Sequence, residues 1–258
     1  TAIKGQVMDP NMPLSLGPGH AGQVKPTAPS PYWGDRQLWD TKFNTHNAMF
    51  DKAGRVWFSA SIRGQDNPAW CKKGSDHPSA KVFPLEKSSR QVAMLDPKTN
   101  KWSFVDTCFG THHLNLDYND TLWFSGSGVV EGWFNTKVYL ETKSEEKAQG
   151  WTVFVLDNNG NGKRDAYTEP DQPADPTKDR RIVAPFYGVA PSVVNGAIWG
   201  SVLGMPGSIV RLVPGSNPPT TALAEIYEVP WSDSKAGGRG FARSGPSRRK
   251  WRALPRTA

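Results

Sequence analysis

An internal repeat constrains the fold of this chain more than any other sequence feature. Residues 45–59 align without a gap with residues 111–125, at a shift of 66, and Thr, His, Asp, Trp, Phe and Ser recur in register. A third copy at 187–201 keeps the turn, Trp199 and Ser201 but has Gly188 at the position of the histidine. The repeat predicts one structural unit that is used several times along the chain.

Each copy of the repeat predicts two β-hairpins. In the first copy an apolar strand, the turn 51–54 and the strand 56–59 form one hairpin, and residues 90–105 form a second around the Asp-Pro turn at Asp96. We expect the counterparts of this second hairpin at 151–157 with the residues that follow, and at 208–229. Two hairpins make four strands, which is one blade of a β-propeller.

The predicted fold is therefore an all-β propeller of four-stranded blades with long inter-strand insertions. The repeat periods of 66 and about 76 residues exceed the length of an ordinary blade, and the surplus lies at 65–86 and 158–179. Three copies are fewer than a closed ring of blades needs, so we expect a partial or truncated propeller. A β-sandwich with coincidentally similar hairpins is the alternative.

The two ends of the chain differ from the repeats. Residues 1–42 are rich in Pro and Gly and predict an extended lead-in to blades at 43–230, with repeats near 43–107, 108–182 and 183–230. The net charge of +7 resides in the tail 231–258, because this tail holds 8 of the 31 Lys and Arg but 1 of the 24 Asp and Glu. The tail is interpreted, in order of preference, as an aberrant final blade, a disordered segment or an RNA- or phosphate-binding arm.

Charge and hydropathy also exclude some classes of protein. Residues 1–230 carry no net charge, which argues against nucleic acid as a partner. The uncharged stretch 183–209 has the length of a membrane span, but Pro185, Pro191, Pro206 and several glycines interrupt it. We therefore expect no membrane span.

The repeat carries a family resemblance. The pattern His-x-x-x-x-Asp-x-x-Gly-x-Val-Trp-Phe-Ser at 46–59, followed by Val-Ala-Met-Leu-Asp-Pro-Lys-Thr-Asn-Lys-Trp-Ser at 92–103, resembles the repeat of streptogramin lyases (virginiamycin B lyase). The resemblance covers roughly residues 43–230. It implies a propeller with a central channel and a metal-dependent lyase that opens a cyclic depsipeptide by elimination, without adding water.

The resemblance also implies site residues. His46 and His112 occupy the histidine position of the repeat near the start of an inner strand, where they would bind a divalent metal ion such as Mg²⁺ or accept the proton lost in elimination. His113 is a further catalytic candidate, expected on the opposite side of a regular strand. The alternative is that each histidine caps a strand and bonds the backbone of the neighbouring blade. Trp57, Trp123 and Trp199 are predicted to pack between blades.

Two functions of different classes follow from this pattern. The first is an extracytoplasmic lyase acting on a small-molecule or peptide ligand at a metal in the channel. The second is a non-catalytic propeller that binds a protein, peptide or glycan through its loop face. Convergence of the histidines would favour the enzyme, whereas separate histidines bonded to backbone would favour the scaffold.

The two cysteines, Cys71 and Cys108, predict a disulfide. Neither belongs to a Cys-x-x-Cys pair, and two thiols do not complete a zinc site. A bridge would pin the first insertion beside the strand that carries His112, and it favours a periplasmic or secreted protein. Two unpaired thiols are the alternative.

The second insertion opens with a candidate calcium loop. Asp157, Asn159, Asn161 and Asp165 stand at positions 1, 3, 5 and 9, with Gly162 at position 6. Alternate oxygen ligands around a glycine turn are typical of Ca²⁺ sites. Glu169 comes one place after the usual acidic position 12, and the preceding strand places the loop on a β-hairpin. A plain Asn-Gly turn is the alternative.

Overall fold

The computed structural model describes residues 44–204 and 207–228. The predicted lead-in 1–42 and basic tail 231–258 lie outside the described residues, and the proposed division of the chain stays a prediction. The described chain is mostly β, and each repeat folds as a four-stranded antiparallel meander, which confirms the predicted four-stranded blades. Below, these meanders are called blades 1, 2 and 3.

Blade 1 has the strand order β1-β2-β3-β4. Its strands are β1 Asn44–Phe50, β2 Val56–Ser61, β3 Gln91–Asp96 and β4 Lys101–Val105. The Asp51 carboxylate closes the first turn, because it accepts hydrogen bonds from the backbone N–H groups of Ala53 and Arg55 and from the Trp57 indole N–H at 2.9 Å. Gly54 takes the positive φ of 82° that this turn requires.

The first insertion, between β2 and β3, packs against blade 2. It contains one turn of 3₁₀ helix at Ala69–Cys71 and the helix α1 at Pro78–Val82. A disulfide joins Cys71 to Cys108, as predicted, and both cysteines are buried. The Trp151 indole N–H donates to the Phe83 carbonyl at 2.6 Å, which fixes the insertion on the fourth strand of blade 2.

Blade 2 corrects one predicted hairpin. Its strands are β5 Leu114–Leu116, β6 Thr121–Phe124, β7 Val130–Asn135 and β8 Gln149–Leu156. The segment 151–157 was expected to begin the second hairpin, but it belongs to the fourth strand. The third strand is β7, and the helices α2 Thr136–Thr142 and α3 Glu145–Ala148 separate it from β8. Asn135 and Ser144 cap these helices with their side-chain oxygens.

Blade 3 follows the second insertion. The insertion contributes the short parallel pair β9 Tyr167–Thr168 and β10 Asp179–Ile182, and β10 pairs with the edge of β8. Blade 3 consists of β11 Phe186–Pro191, β12 Ile198–Val202, β13 Ser208–Val213 and β14 Leu223–Glu228, with the helix α4 Pro218–Thr221 before its last strand. One parallel pair, Ala224 with Leu156, joins it to blade 2.

Two of the three clusters of buried side chains in the described residues lie between blades. One cluster of buried side chains joins blade 1, the first insertion and blade 2, and a second joins blade 2 to blade 3. Trp57 is fully buried in the first cluster and Trp123 is buried in the second. Trp199 lies on the far face of blade 3, where it stacks on Tyr227 with ring centroids 5.6 Å apart. Within the described ranges, no helix is long and apolar enough to cross a membrane.

Candidate functional site

A β-bulge positions the first histidine of the site. In blade 1, His46 pairs with Ser59 and Ala48 pairs with Phe58, so Asn47 is the extra residue of β1. Asn47 has a positive φ of 41°, a conformation that asparagine tolerates better than most residues. Bulges bend a strand locally and change where its side chains point. The histidine of the repeat therefore stands at an irregular position of the inner strand.

The same irregularity occurs before the inner strand of blade 2. The His112 N–H donates to the Ser125 carbonyl at 2.7 Å, and the Ser125 N–H donates to the His113 carbonyl at 2.9 Å. His112 and His113 thus both lie opposite Ser125, and both precede β5. The expectation that His113 points away from His112 is wrong, because alternation of side chains holds only in a regular strand. Their ring centroids are 4.1 Å apart.

Contact between the two inner strands brings all three histidines together. The Asn47 side-chain oxygen accepts a hydrogen bond from the Leu114 N–H at 2.8 Å, which places the bulge of blade 1 beside the start of β5. The His46 ring stacks on the His112 ring at 4.5 Å and lies 5.4 Å from that of His113. One ring nitrogen of each histidine lies within 4.8 Å of the other two.

Blade 3 contributes Tyr187 to the cluster. Its ring contacts both His112 and His113, with centroids 5.3 and 5.0 Å away. The Tyr187 carbonyl lies 2.7 Å from His113 Nδ1. A carbonyl oxygen can only accept, so His113 carries its proton on Nδ1 and leaves the Nε2 lone pair for another partner. A second-sphere bond of this kind typically orients a metal-binding histidine.

The electrostatics of the cluster favour neutral imidazoles. Burial lowers the pKa of His112 to about 4, with smaller contributions from His113, His46 and Arg90. Burial, Arg90 and His113 also lower the pKa of His46. Among the described residues, His46 Nε2 is buried without a hydrogen-bond partner. Neutral imidazole with a free lone pair is the form that binds metal ions or accepts protons.

The predicted calcium loop is closed by its own hydrogen bonds. One Asp157 oxygen accepts from the N–H groups of Gly160 and Asn161, and the other accepts from Gly162 at 2.8 Å. The side-chain amides of Asn159 and Asn161 donate to Asp165 at 3.1 and 2.6 Å. The structure therefore brings the side chains of these four residues into one compact loop.

Glu169 does not join the loop, whereas Asp179 does. Glu169 forms an ion pair with Arg181 at 2.5 Å, in keeping with its displaced position in the pattern. Asp179 is fully buried and accepts from the N–H groups of Asn158 and Asp165. Burial raises the pKa of the Asp179 carboxyl, and the nearby Asp157 and Asp165 raise it further. Sequence spacing gave no sign that Asp179, 22 positions after Asp157, belongs to this loop.

The repeat pattern predicts neither Tyr187 nor Arg90 as a site residue. Tyr187 directly precedes Gly188, the position at which the third copy lacks the histidine. Arg90 begins the predicted hairpin 90–105, a pattern that indicates strands and no site. Only the packing of separate blades brings them to the histidines, so no local pattern would have identified them.

Comparison with known proteins identifies no family for this chain. No family model matches it, and no curated protein matches it. A solved structure with some likeness is that of PorZ, a bacterial surface component of the type-IX secretion system of Porphyromonas gingivalis. The likeness has a TM-score of 0.39 and 14% identity, and it covers 81% of this chain and 24% of that chain. The chain thus spans about a quarter of the length of that protein.

Proposed function

We propose that this chain is an extracytoplasmic β-propeller-like protein that binds a divalent metal ion through His46, His112 and His113. The observation that carries the proposal is the convergence of these side chains from the inner strands of two blades, with ring nitrogens within 4.8 Å of one another. The disulfide supports an extracytoplasmic setting, because such bonds form and persist in oxidising compartments.

The donor set favours zinc or a similar transition metal. Imidazole nitrogens suit Zn²⁺, Cu²⁺ and Ni²⁺, whereas Mg²⁺ prefers oxygen ligands, so the magnesium ion implied by the family resemblance fits these residues poorly. Nitrogen ligands on a tetrahedral zinc ion lie about 3.3 Å apart. Binding therefore requires a small rotation of the three rings toward a common point. Three protein ligands would leave one position open, as is typical of catalytic zinc sites.

The finer proposal is that the site performs the elimination implied by the resemblance. A bound metal ion would supply Lewis-acid polarisation of a carbonyl group. If two of the three histidines hold the metal ion during this reaction, the third would remove the proton next to that carbonyl, and the low pKa of His112 keeps it unprotonated for this role at neutral pH. The electron pair then forms a carbon–carbon double bond as the carboxylate of the ester leaves.

Titration with zinc followed by calorimetry tests the metal site. We expect the wild-type protein to bind one zinc ion, and we expect His46→Ala and His112→Ala to weaken binding at least about tenfold, the loss of a ligand being costly. His77→Gln is the matched control. His77 lies in the first insertion, outside the histidine cluster, and its ring stacks on Trp151 of β8. Unchanged affinity in the double variant His46→Ala with His112→Ala would contradict the proposal.

The pH dependence of the same titration tests the electrostatics of the site. Protons compete with a metal ion only near and below the pKa of the ligand. His112 therefore stays available down to about pH 4. A chemical-shift titration of its ring should have its midpoint there, and a midpoint at the ordinary value near 6.5 would contradict the burial of this ring.

Mass spectrometry of a cyclic depsipeptide antibiotic tests the lyase activity. Elimination opens the ring without a change in mass, whereas hydrolysis adds one water molecule. A linear product of unchanged mass, formed by zinc-loaded protein and lost in His112→Ala, is the expected result. Zinc binding without any product would favour the non-catalytic alternative, a propeller that binds a protein, peptide or glycan.

A calcium ion in the loop 157–165 is a second proposal. The observation that favours it is the crowding of three carboxylates, those of Asp157, Asp165 and Asp179, on one small loop. A cation would relieve their mutual repulsion. Millimolar Ca²⁺ should raise the Tm of the wild type but not of Asp157→Asn, with Asp171→Asn, an exposed position in the same insertion, as the control. An equal Tm with calcium and with chelator would contradict it.

A further inference from the structure

Arg90 lies close enough to the histidine cluster for its charge to lower the pKa values of His46 and His112. The Arg90 carbonyl accepts a hydrogen bond from the Thr111 N–H at 3.3 Å, and the Thr111 hydroxyl donates to the Gln91 carbonyl at 2.7 Å. Thr111 directly precedes His112, so these bonds hold the start of β3 against the segment that carries two of the three histidines.

The charge of Arg90 has no counterpart in the described residues. Six other arginines lie in this part of the chain, and each donates a side-chain hydrogen bond: Arg55, Arg63, Arg164, Arg180, Arg181 and Arg211. Within 44–204 and 207–228, the Arg90 guanidinium has neither an acidic partner nor a hydrogen-bond acceptor. The side chain is half-buried. Since none of the described residues bonds the guanidinium, its N–H groups are available to a ligand.

Within the part of the chain that the structure describes, the surroundings of the histidines add no negative charge. The groups that influence the pKa values of His46 and His112 are other histidines and Arg90, with no carboxylate among them. A divalent metal ion on three neutral imidazoles would keep its full charge, and Arg90 would add another positive charge nearby. An anion is the ligand that such a site attracts most strongly.

We propose that the site takes a ligand with an oxyanion, a carboxylate or a phosphonate-like group, which binds the metal ion through one oxygen and Arg90 through another. The inference rests on the proposed metal site and names the ligand class of that site. Planar guanidinium groups bind such oxyanions through paired hydrogen bonds. The Tyr187 ring beside His112 and His113 gives the site an aromatic wall, which favours an organic anion.

Cobalt-loaded protein provides the test, because the visible spectrum of Co²⁺ responds when an anion enters its open position. Acetate and methylphosphonate are titrated in separate arms, and acetamide is the uncharged control. We expect spectral change with one or both anions and none with acetamide. The arm with the higher affinity identifies the carboxylate or the phosphonate as the preferred group.

The variant Arg90→Gln gives two effects of opposite sign. Loss of a neighbouring positive charge should strengthen metal binding roughly threefold to tenfold, whereas anion binding should weaken by about tenfold. Arg180→Gln is the matched control, since Arg180 lies on β10, away from the histidines, and the same charge is removed. A merely structural role of Arg90 would weaken both affinities together and would overturn the inference.

The remaining outcomes separate this inference from the metal site. Normal metal binding with no effect of either anion, or with equal anion affinity in Arg90→Gln, would overturn the anion site and leave the metal proposal intact. Failure to bind zinc or cobalt would overturn the metal proposal. In that case acetate and methylphosphonate binding to the metal-free protein is measured by calorimetry. Arg90-dependent binding would then support an anion site, and its absence would overturn it.

Discussion

Blades 1 and 2 differ from blade 3 at the inner strand, although all three have the same four-stranded order. In blades 1 and 2, two residues at the histidine position face one serine, Ser59 of β2 or Ser125 directly after β6, and the ring nitrogens of three histidines approach one another. In blade 3, Gly188 pairs with Ser201 and the irregularity falls on Tyr187 instead. The difference teaches that the histidine is not needed to build a blade, so its presence in two copies points to a site.

The turn and the tryptophan of the repeat also differ between blades 1 and 2 on one side and blade 3 on the other. Asp51 and Asp117 each bond the indole N–H of the tryptophan six residues later, at 2.9 and 3.0 Å. Blade 3 has Val193 at the aligned position, and Val193 is exposed. Each tryptophan lies on the face toward the next copy. Trp57 and Trp123 are buried there, while no described residue of a further blade covers Trp199.

The largest effect should come from the tryptophans. Trp57→Ala should lower the free energy of unfolding by about 3–5 kcal/mol, because it leaves a large cavity between blades 1 and 2. Trp199→Ala should cost about 1 kcal/mol, since its ring is only partly covered. Urea denaturation monitored by circular dichroism measures both. Equal losses of unfolding free energy in the two variants would contradict the difference between the buried Trp57 and the partly covered Trp199.

The disulfide should rank second. It joins the insertion of blade 1 to the segment before blade 2, and the two cysteines are 37 positions apart in the sequence. Cys71→Ala with Cys108→Ala should cost about 2–4 kcal/mol, mainly because the unfolded chain becomes less restricted. Wild-type protein with a reducing agent should lose a similar amount in urea denaturation. A loss below the experimental error would show that hydrogen bonds such as that from Trp151 to Phe83 suffice.

Glu131 should make the junction of blades 2 and 3 sensitive to rising pH. It is fully buried on β7, and by alternation it shares the face of Trp133, which packs against the second cluster. Burial raises its pKa well above 4.5, so its contribution to stability is full below 4.5 and declines as pH rises toward the folded pKa. The decline is at most about 1.4 kcal/mol per pH unit.

The variant Glu131→Gln has no titrating group at this position, so its comparison with the wild type isolates the contribution of Glu131 to the pH dependence. The free energy of unfolding of the variant, measured by urea denaturation between pH 4.5 and pH 8, should fall less with pH than that of the wild type. Parallel pH profiles for the two proteins would contradict a protonated Glu131 in the folded state.

Asp51 should give the smallest effect on stability. Its pH dependence should be opposite to that of Glu131. Burial alone would raise its pKa, but hydrogen bonds from Trp57 and Arg55 outweigh burial and hold the pKa below 3.8. Its stabilisation is therefore present above pH 3.8 and is lost as pH falls through the folded pKa. Asp51→Asn should cost about 1 kcal/mol at pH 7 and less at pH 2, as measured by urea denaturation. A constant difference at both pH values would contradict the role of the charge.

The sequence by itself predicted much of the fold. Ungapped recurrence of Asp, Trp and Ser was enough to predict four strands per copy, because turns and alternating strands depend on local residues. It also named Cys71 and Cys108 as a pair and His46 and His112 as candidates. It misplaced β8, since the helices α2 and α3 lengthen one hairpin and no turn signal marked its end.

Only the tertiary structure decided how the candidates are arranged. The bulge at Asn47 and the bend at His112 and His113 depend on hydrogen bonds between strands, which leave no pattern in the sequence. The approach of Arg90 and Tyr187 depends on packing between blades, and residues distant in the chain meet there. The sequence determined which side chains each blade carries, and the packing of one blade on the next decided which of them meet.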